Sequence, residues 1–91
     1  MLLRDSPKMA FEVIWFPKSV KFLEKLPRDI AVRIREKIDE VKEEPNRYVE
    51  KLVSKNDYRL RVGDYRVFVE ITYNPDTISI LAIRHRRDAY Q

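Results

Sequence analysis

Apolar residues in the first half of the chain follow the spacing of one strand and then of two helices. The segment FEVIWF (11–16) is short, aromatic and β-branched, which predicts a first strand. Pro17 ends that strand and suits the first turn of a helix, and apolar residues then recur at helical spacing up to Pro27. A second helix is predicted from about Arg28 to Glu44, with an apolar stripe formed by Ile30, Ile34, Ile38 and Val41.

The last third of the chain alternates apolar and polar residues with a period of two, over residues 57–62, 65–73 and 78–85. Gly63-Asp64 predicts a two-residue hairpin turn of type II′, which places glycine first. NPDT (74–77) predicts a second turn, and residues 47–56 are interpreted as a connecting loop. We therefore predict an α+β fold: an N-terminal strand, a two-helix hairpin and a three-stranded antiparallel meander, with the helices packed on one sheet face.

Length and composition narrow the classes of protein to consider. The 91 residues suffice for one domain. We expect it to span residues 10–91, because residues 1–9 lack a periodic pattern and are interpreted as a dispensable extension. The lack of cysteine and the single histidine disfavour a metal site, and no cofactor is expected. There is no apolar run of about 20 residues and no signal-peptide core, so we expect a cytoplasmic protein without a membrane partner.

Positive charge in the predicted meander is carried by arginine alone. The formal net charge of +4 permits an anionic partner. Before residue 57 the basic residues are eight lysines and five arginines, whereas from 57 onward they are six arginines and no lysine. A planar guanidinium suits bidentate binding of phosphate. Chance and β-propensity also explain the change, so it supports a phosphate ligand only together with the cross-strand pattern.

The glycine turn fixes the register of the first hairpin. Pairing Val62 with Tyr65 sets Arg61 opposite Arg66 and Arg59 opposite Phe68, on the face away from the helices. Extending the pairing with Tyr73 opposite Ile78 places His85 beside Arg66, and places Leu81 and Ile83 on the same face. Like charges directly opposite destabilise a sheet by up to roughly 1 kcal/mol per pair, so this clustering favours an anionic ligand. The alternative is a solvated charged face, against which the neighbouring apolar side chains argue.

The segments YRLRVGDYRVFVEI and IRHRRDAY together resemble the RelE/ParE toxin superfamily of toxin–antitoxin systems. The resemblance runs from about Ala10 to the end of the chain and includes the LEKLP end of the first helix. It implies an mRNA interferase that enters the ribosomal A site and cuts mRNA by attack of a 2′-hydroxyl on the adjacent phosphate. The implied partners are a cognate RelB-like antitoxin, in a hetero-oligomer, and the ribosome with its mRNA. The alternatives are a ParE-like inhibitor of DNA gyrase and a catalytically inactive RelE-fold binding protein.

The resemblance also implies roles for particular residues. It assigns catalysis to Arg61, Arg66, His85, Arg86 and Tyr90, and RNA binding to Arg59 and Arg84. Arg66 is the implied phosphate clamp, and either Arg84 or Arg86 matches the family arginine. Histidine titrates near neutral pH and arginine does not, so His85 is the first candidate for the general base and Tyr90 the alternative. Some relatives have lysine in place of Arg59 or Arg61, so proton transfer by that lysine is not expected here.

Overall fold

The computed structural model describes residues 10–53 and 56–88. Its elements are, in chain order, β1 (Glu12–Trp15), α1 (Pro17–Glu24), α2 (Arg28–Val41), a 3₁₀ turn (Pro45–Arg47), β2 (Val49–Lys51), β3 (Asp57–Val62), β4 (Tyr65–Thr72), β5 (Thr77–His85) and a second 3₁₀ turn (Arg86–Asp88). The expected N-terminal extension, residues 1–9, lies outside the described residues, and so does Tyr90.

The strands form one five-stranded sheet in the order β1-β5-β4-β3-β2. The helices carry the chain from one edge of the sheet, β1, to the other edge, β2. Strands β2 to β5 then follow one another, each antiparallel to the next, back across the sheet. The last of them, β5, lies beside β1 and parallel to it. The predicted α+β fold is confirmed, with two differences: the sheet is mixed, and the predicted loop 47–56 contains β2. That strand has three residues, VEK, which is too short for alternation to reveal it.

The core lies between the helices and one face of the sheet. Its helical side consists of Leu23, Ile34, Ile38 and Val41, and its sheet side includes Leu60, Val67, Val69, Ile71, Ile78, Ile80 and Ile83. Ser19 is fully buried, and its hydroxyl lies 2.7 Å from the carbonyl oxygen of Phe16 and 3.0 Å from that of Ile80, which links α1 to β5. The helix α2 ends at Val41 rather than Glu44. Glu44 precedes Pro45 and has φ −155° and ψ 72°, because proline disfavours helical geometry in the residue before it.

The predicted register of the β3–β4 hairpin is confirmed. Val62 pairs with Tyr65, Arg61 with Arg66, and Arg59 with Phe68. Gly63 has φ 57°, and Asp64 does not share this positive sign, which is the pattern of a type II′ turn. A two-residue turn leaves no freedom in the pairing of the strands that it joins, so the register follows from the turn.

The predicted register of β4 against β5 is wrong. Thr72 pairs with Thr77, and further along a β-bulge between Ile80 and Ala82 adds Leu81 to β5 as an extra residue. Relative to the predicted register, the pairing next to the turn is shifted by an even number of residues, which leaves each side chain on its predicted face. The bulge shifts the pairing by one more residue, so the residues of β5 that follow Leu81 lie on the opposite face from the one predicted. Ile83 therefore faces the core rather than the open face.

Candidate functional site

Three arginines form a row across the sheet face that the helices leave open. Arg61 on β3 pairs with Arg66 on β4, and Arg66 pairs in turn with Arg84 on β5. Arg61 and Arg84 are exposed, whereas Arg66 is only 6% exposed. Within residues 10–53 and 56–88, no carboxylate forms a salt bridge with any of the three. Such a row repels itself, so it favours a ligand that brings negative charge.

The guanidinium of Arg66 is held by the backbone of the hairpin turn. Its Nη1 donates to the carbonyl oxygens of Tyr65, at 3.1 Å, and of Gly63, at 3.3 Å. Its Nε is buried and has no hydrogen-bond partner among the described residues. A buried donor without an acceptor costs about 1–3 kcal/mol, and native proteins contain few of them. An anion that accepted this hydrogen bond would recover that free energy, so the arrangement suits a phosphate.

A second row beside the first contains an ion pair that the sequence did not predict. Glu50 on β2 pairs with Arg59 on β3, and the Nη2 of Arg59 donates to the Oε1 of Glu50 at 2.8 Å. The hydrogen bond and the charge of Arg59 lower the pKa of Glu50; desolvation opposes this, and the charges of Arg61 and Arg66 add to it. Glu50 is therefore a carboxylate in the field of three arginines at neutral pH. Because its position depends on β2, no sequence signal pointed to it.

His85 lies on the helix side of the sheet and not beside Arg66, so its predicted position is wrong. It pairs with Tyr65, and the two rings meet edge to face at 5.3 Å. Its Nδ1 accepts a hydrogen bond from the backbone N–H of Arg87 at 3.2 Å. Nδ1 is thus the nitrogen that accepts, and its lone pair is used by this hydrogen bond. The bulge at Leu81 is the cause, because it shifts β5 so that Arg84, and not His85, pairs with Arg66.

Arg86 lies at the end of the sheet where the hairpin turns. Its backbone N–H donates to the carbonyl oxygen of Asp64 at 2.7 Å, and its Nε lies 4.0 Å from the Oδ1 of Asp64. Its side chain is 63% exposed. The structure therefore brings together Arg59, Arg61, Arg66 and Arg84, with Arg86 at the adjoining turn. Tyr90, the other candidate base, is outside the described residues.

Two classes of feature are absent from the described part of the chain. No three acidic or histidine side chains are placed so that they could hold a metal ion. None of the helices is long and apolar enough to cross a membrane.

Comparison with known proteins identifies the family. The family model for the ParE toxin of type II toxin–antitoxin systems matches residues 13–90. The chain belongs to this family of the RelE/ParE superfamily. The protein is thus a toxin of the type II class, and the resemblance seen in the sequence is confirmed. The toxin has no significant match among curated protein sequences.

Solved structures of the superfamily have the same fold as this toxin. It is 32% identical to a chain of the archaeal RelE–RelB complex from Pyrococcus horikoshii, with a TM-score of 0.77 over 89% of this chain and 100% of the other. For the RelBE2 complex of Mycobacterium tuberculosis the identity is 26% and the TM-score 0.78, over 86% and 100% of the two chains. For the RelB–RelE complex of Methanococcus jannaschii the values are 30% and 0.67, over 86% and 95%.

Proposed function

We propose that this toxin is a ribosome-dependent mRNA endoribonuclease that acts in the cytoplasm, and that the row Arg61–Arg66–Arg84 binds the scissile phosphate. The observation that carries the proposal is the buried guanidinium of Arg66, whose Nε has no acceptor among the described residues. A phosphate on the open face compensates the charge of Arg66, and its oxygen accepts from Nε once a shift of the side chain uncovers that nitrogen. The exposed arginines on either side then contact the same or the neighbouring phosphate.

The chemistry is an attack of the 2′-oxygen on the adjacent phosphorus. The new P–O bond forms as the bond to the 5′-oxygen of the next nucleotide breaks, the 2′-hydroxyl loses its proton, and the leaving oxygen gains one. Negative charge grows on the non-bridging oxygens, and fixed guanidinium groups stabilise it more strongly in the transition state than in the bound substrate. Arginine stays protonated, so the arginines supply charge and orientation while another group moves the proton.

A RelB-like antitoxin is the proposed partner that neutralises the toxin. The similar toxins from Pyrococcus horikoshii and Methanococcus jannaschii were solved as complexes with RelB. In this chain, the open face combines arginines with exposed Ile14 and Phe16, which are 44% and 42% exposed, at the β1 end of the sheet. Acidic and apolar residues of the antitoxin complement such a surface and cover the arginine row.

The experiment that tests the function is primer extension on mRNA from programmed ribosomes treated with the purified toxin. We expect cuts within the A-site codon and none on the same mRNA without ribosomes. A supercoiling assay with DNA gyrase runs in parallel, because the matching family model describes ParE toxins. Intact mRNA together with inhibited gyrase would replace the proposal by the ParE-like alternative. Intact mRNA with active gyrase would leave a RelE-fold binding protein.

His85→Ala is expected to lower the rate of cleavage on programmed ribosomes by less than about tenfold and to leave the pH–rate profile unchanged. The reason is that His85 faces Tyr65 and its Nδ1 accepts the hydrogen bond from Arg87, so the ring supports the end of β5 and does not face the arginine row. Rates measured from pH 5.5 to 8.5 check this. A large loss of cleavage rate together with a flattened pH–rate profile would instead identify His85, and not Tyr90, as the general base.

A further inference from the structure

Phe68 is an aromatic residue of the open face that lies next to the arginine row. It follows Arg66 by two residues on β4, so the two side chains lie on the same face, about 7 Å apart along the strand. Its neighbour on β5 is Ala82, whose methyl group is too short to cover a phenyl ring. Phe68 is half-buried, so part of its ring remains accessible from the open face.

Beyond Phe68 the open face carries negative charge. Glu70 follows Phe68 by two residues and pairs with Asp57 on β3. Two carboxylates in adjacent strands repel a phosphate as they repel each other. Along β4 the face therefore changes from a guanidinium to a phenyl ring to a carboxylate, in steps of about 7 Å.

This order suits a nucleotide whose phosphate lies on the row Arg61–Arg66–Arg84. The carboxylates keep the charged backbone of the RNA at the arginines, whereas an uncharged base can extend along β4 over the ring of Phe68. The step of about 7 Å from the arginine to the ring is comparable to the length of the sugar that joins a phosphate to its base. Every base has a π-face, and single strands commonly stack their bases on aromatic side chains beside a basic surface.

We propose that Phe68 is a substrate-binding residue, on which the base of a nucleotide that adjoins the bound phosphate stacks. The inference rests on the proposed function, because it takes RNA as the ligand of the arginine row. A base held on Phe68 and a phosphate held at Arg66 fix both ends of one nucleotide. The ribose between them, which carries the 2′-hydroxyl, then has less freedom to turn away from the phosphorus.

The test measures how much the bases of an oligonucleotide contribute to its binding. The probes are a dye-labelled 2′-O-methyl oligonucleotide, which cannot be cleaved by 2′-hydroxyl attack, and its abasic counterpart, which has the same phosphates and no bases. Affinities of the full chain for both are measured by fluorescence anisotropy between about 0.05 and 0.2 M salt. The ratio of the two affinities isolates the bases, because a loss of folded protein weakens both equally.

Three variants are compared with the wild type, after their melting temperatures have been measured. Phe68→Leu removes the ring and keeps an apolar side chain, whereas Phe68→Tyr keeps the ring. Tyr73→Leu is the matched control, because Tyr73 is an aromatic residue that is 56% exposed and follows the far end of β4. It lies roughly 20 Å along the chain from Arg66, too far for a base whose phosphate is bound at the arginine row.

Phe68→Leu is expected to bind the oligonucleotide with bases about tenfold more weakly than the wild type, which corresponds to about 1.4 kcal/mol. Its affinity for the abasic probe should be unchanged. Phe68→Tyr and Tyr73→Leu should bind both probes like the wild type. The slope of log K against log salt concentration should stay the same for Phe68→Leu, since no phosphate contact is lost, whereas Arg66→Ala should reduce it by about 0.7.

A preference for bases that persists in Phe68→Leu would overturn the proposal, and so would the same loss in Tyr73→Leu. Failure of the wild type to prefer the probe with bases, or to bind either probe, would contradict it as well. Unchanged RNA binding by Phe68→Leu together with weaker binding of the cognate antitoxin would assign the ring to the antitoxin surface instead.

The binding experiment contains no ribosome and measures no cleavage, so its result is independent of the test of the proposed function. A failure of that function appears as intact mRNA on programmed ribosomes. A failure of the present inference appears as a contribution of the bases that does not depend on Phe68, whether or not the mRNA is cut.

Discussion

Replacing Arg66 by alanine is expected to lower the rate of mRNA cleavage on programmed ribosomes about a hundredfold. This corresponds to the loss of on the order of 3 kcal/mol of stabilisation of the transition-state charge. Arg66 is the central member of its row, and two carbonyl oxygens of the hairpin turn fix its guanidinium before any ligand arrives. A charge that the turn already holds at the centre of the row has little reorganisation to undergo, which is why we expect Arg66 to have the largest effect in the row.

Two further variants make this result interpretable. Arg66→Lys keeps the positive charge but loses the planar fork, so we expect a rate between those of wild type and Arg66→Ala. Arg87→Ala removes the same charge from an exposed position in the 3₁₀ turn after β5 and should cleave at nearly the wild-type rate. Melting temperatures of all variants are compared first, because Arg66 also donates to the backbone. If Arg66→Ala and Arg84→Ala both cleave like wild type, the arginine row is not the active site.

The sequence predicted most accurately where a single residue determines the geometry. Gly63 begins a two-residue turn, and from that turn the pairing of Arg61 with Arg66 and of Arg59 with Phe68 followed. Pro17 and Pro27 likewise marked the start of α1 and the boundary between the helices. In each case a constraint on the backbone, rather than a tendency of the side chains, made the prediction definite.

The sequence failed where its apolar residues do not alternate. Residues 80–83, Ile-Leu-Ala-Ile, are all apolar, so nothing in the pattern shows that Leu81 is the extra residue of a β-bulge. Missing the bulge exchanged the faces of the following residues, which placed His85 in the row that Arg84 occupies. The choice left open between Arg84 and Arg86 as the family arginine now has a geometric argument for Arg84, since only Arg84 lies opposite Arg66.

The acidic partner of Arg59 was missed for a different reason. Glu50 enters that face only because β2 pairs with β3, and β2 is a three-residue strand within a segment interpreted as a loop. The register inferred from the sequence put Arg59, Arg61, Arg66 and His85 on that face and gave none of them an acidic partner. The structure places Glu50 against Arg59 on that face, where Asp57 and Glu70 also lie as a cross-strand pair.

Replacing Ile83 by alanine is expected to lower the free energy of unfolding by about 3 kcal/mol. Ile83 is 2% exposed and pairs with Val67 in the core, so the substitution leaves a cavity between the sheet and the helices. Leu81→Ala is the matched control, because Leu81 is a half-buried aliphatic residue on the same strand, and its truncation should cost about 1 kcal/mol. Urea unfolding with equal m-values for the two variants measures the difference.

The comparison of these two residues also tests the arrangement of the arginine row. The register inferred from the sequence put both Leu81 and Ile83 on the open face, where truncation of either would cost little. The bulge separates them, and the same bulge sets Arg84, rather than His85, opposite Arg66. A large loss of stability for Ile83→Ala with a small one for Leu81→Ala therefore supports the row Arg61–Arg66–Arg84. Equally small losses would return His85 to the open face and restore it as the neighbour of Arg66.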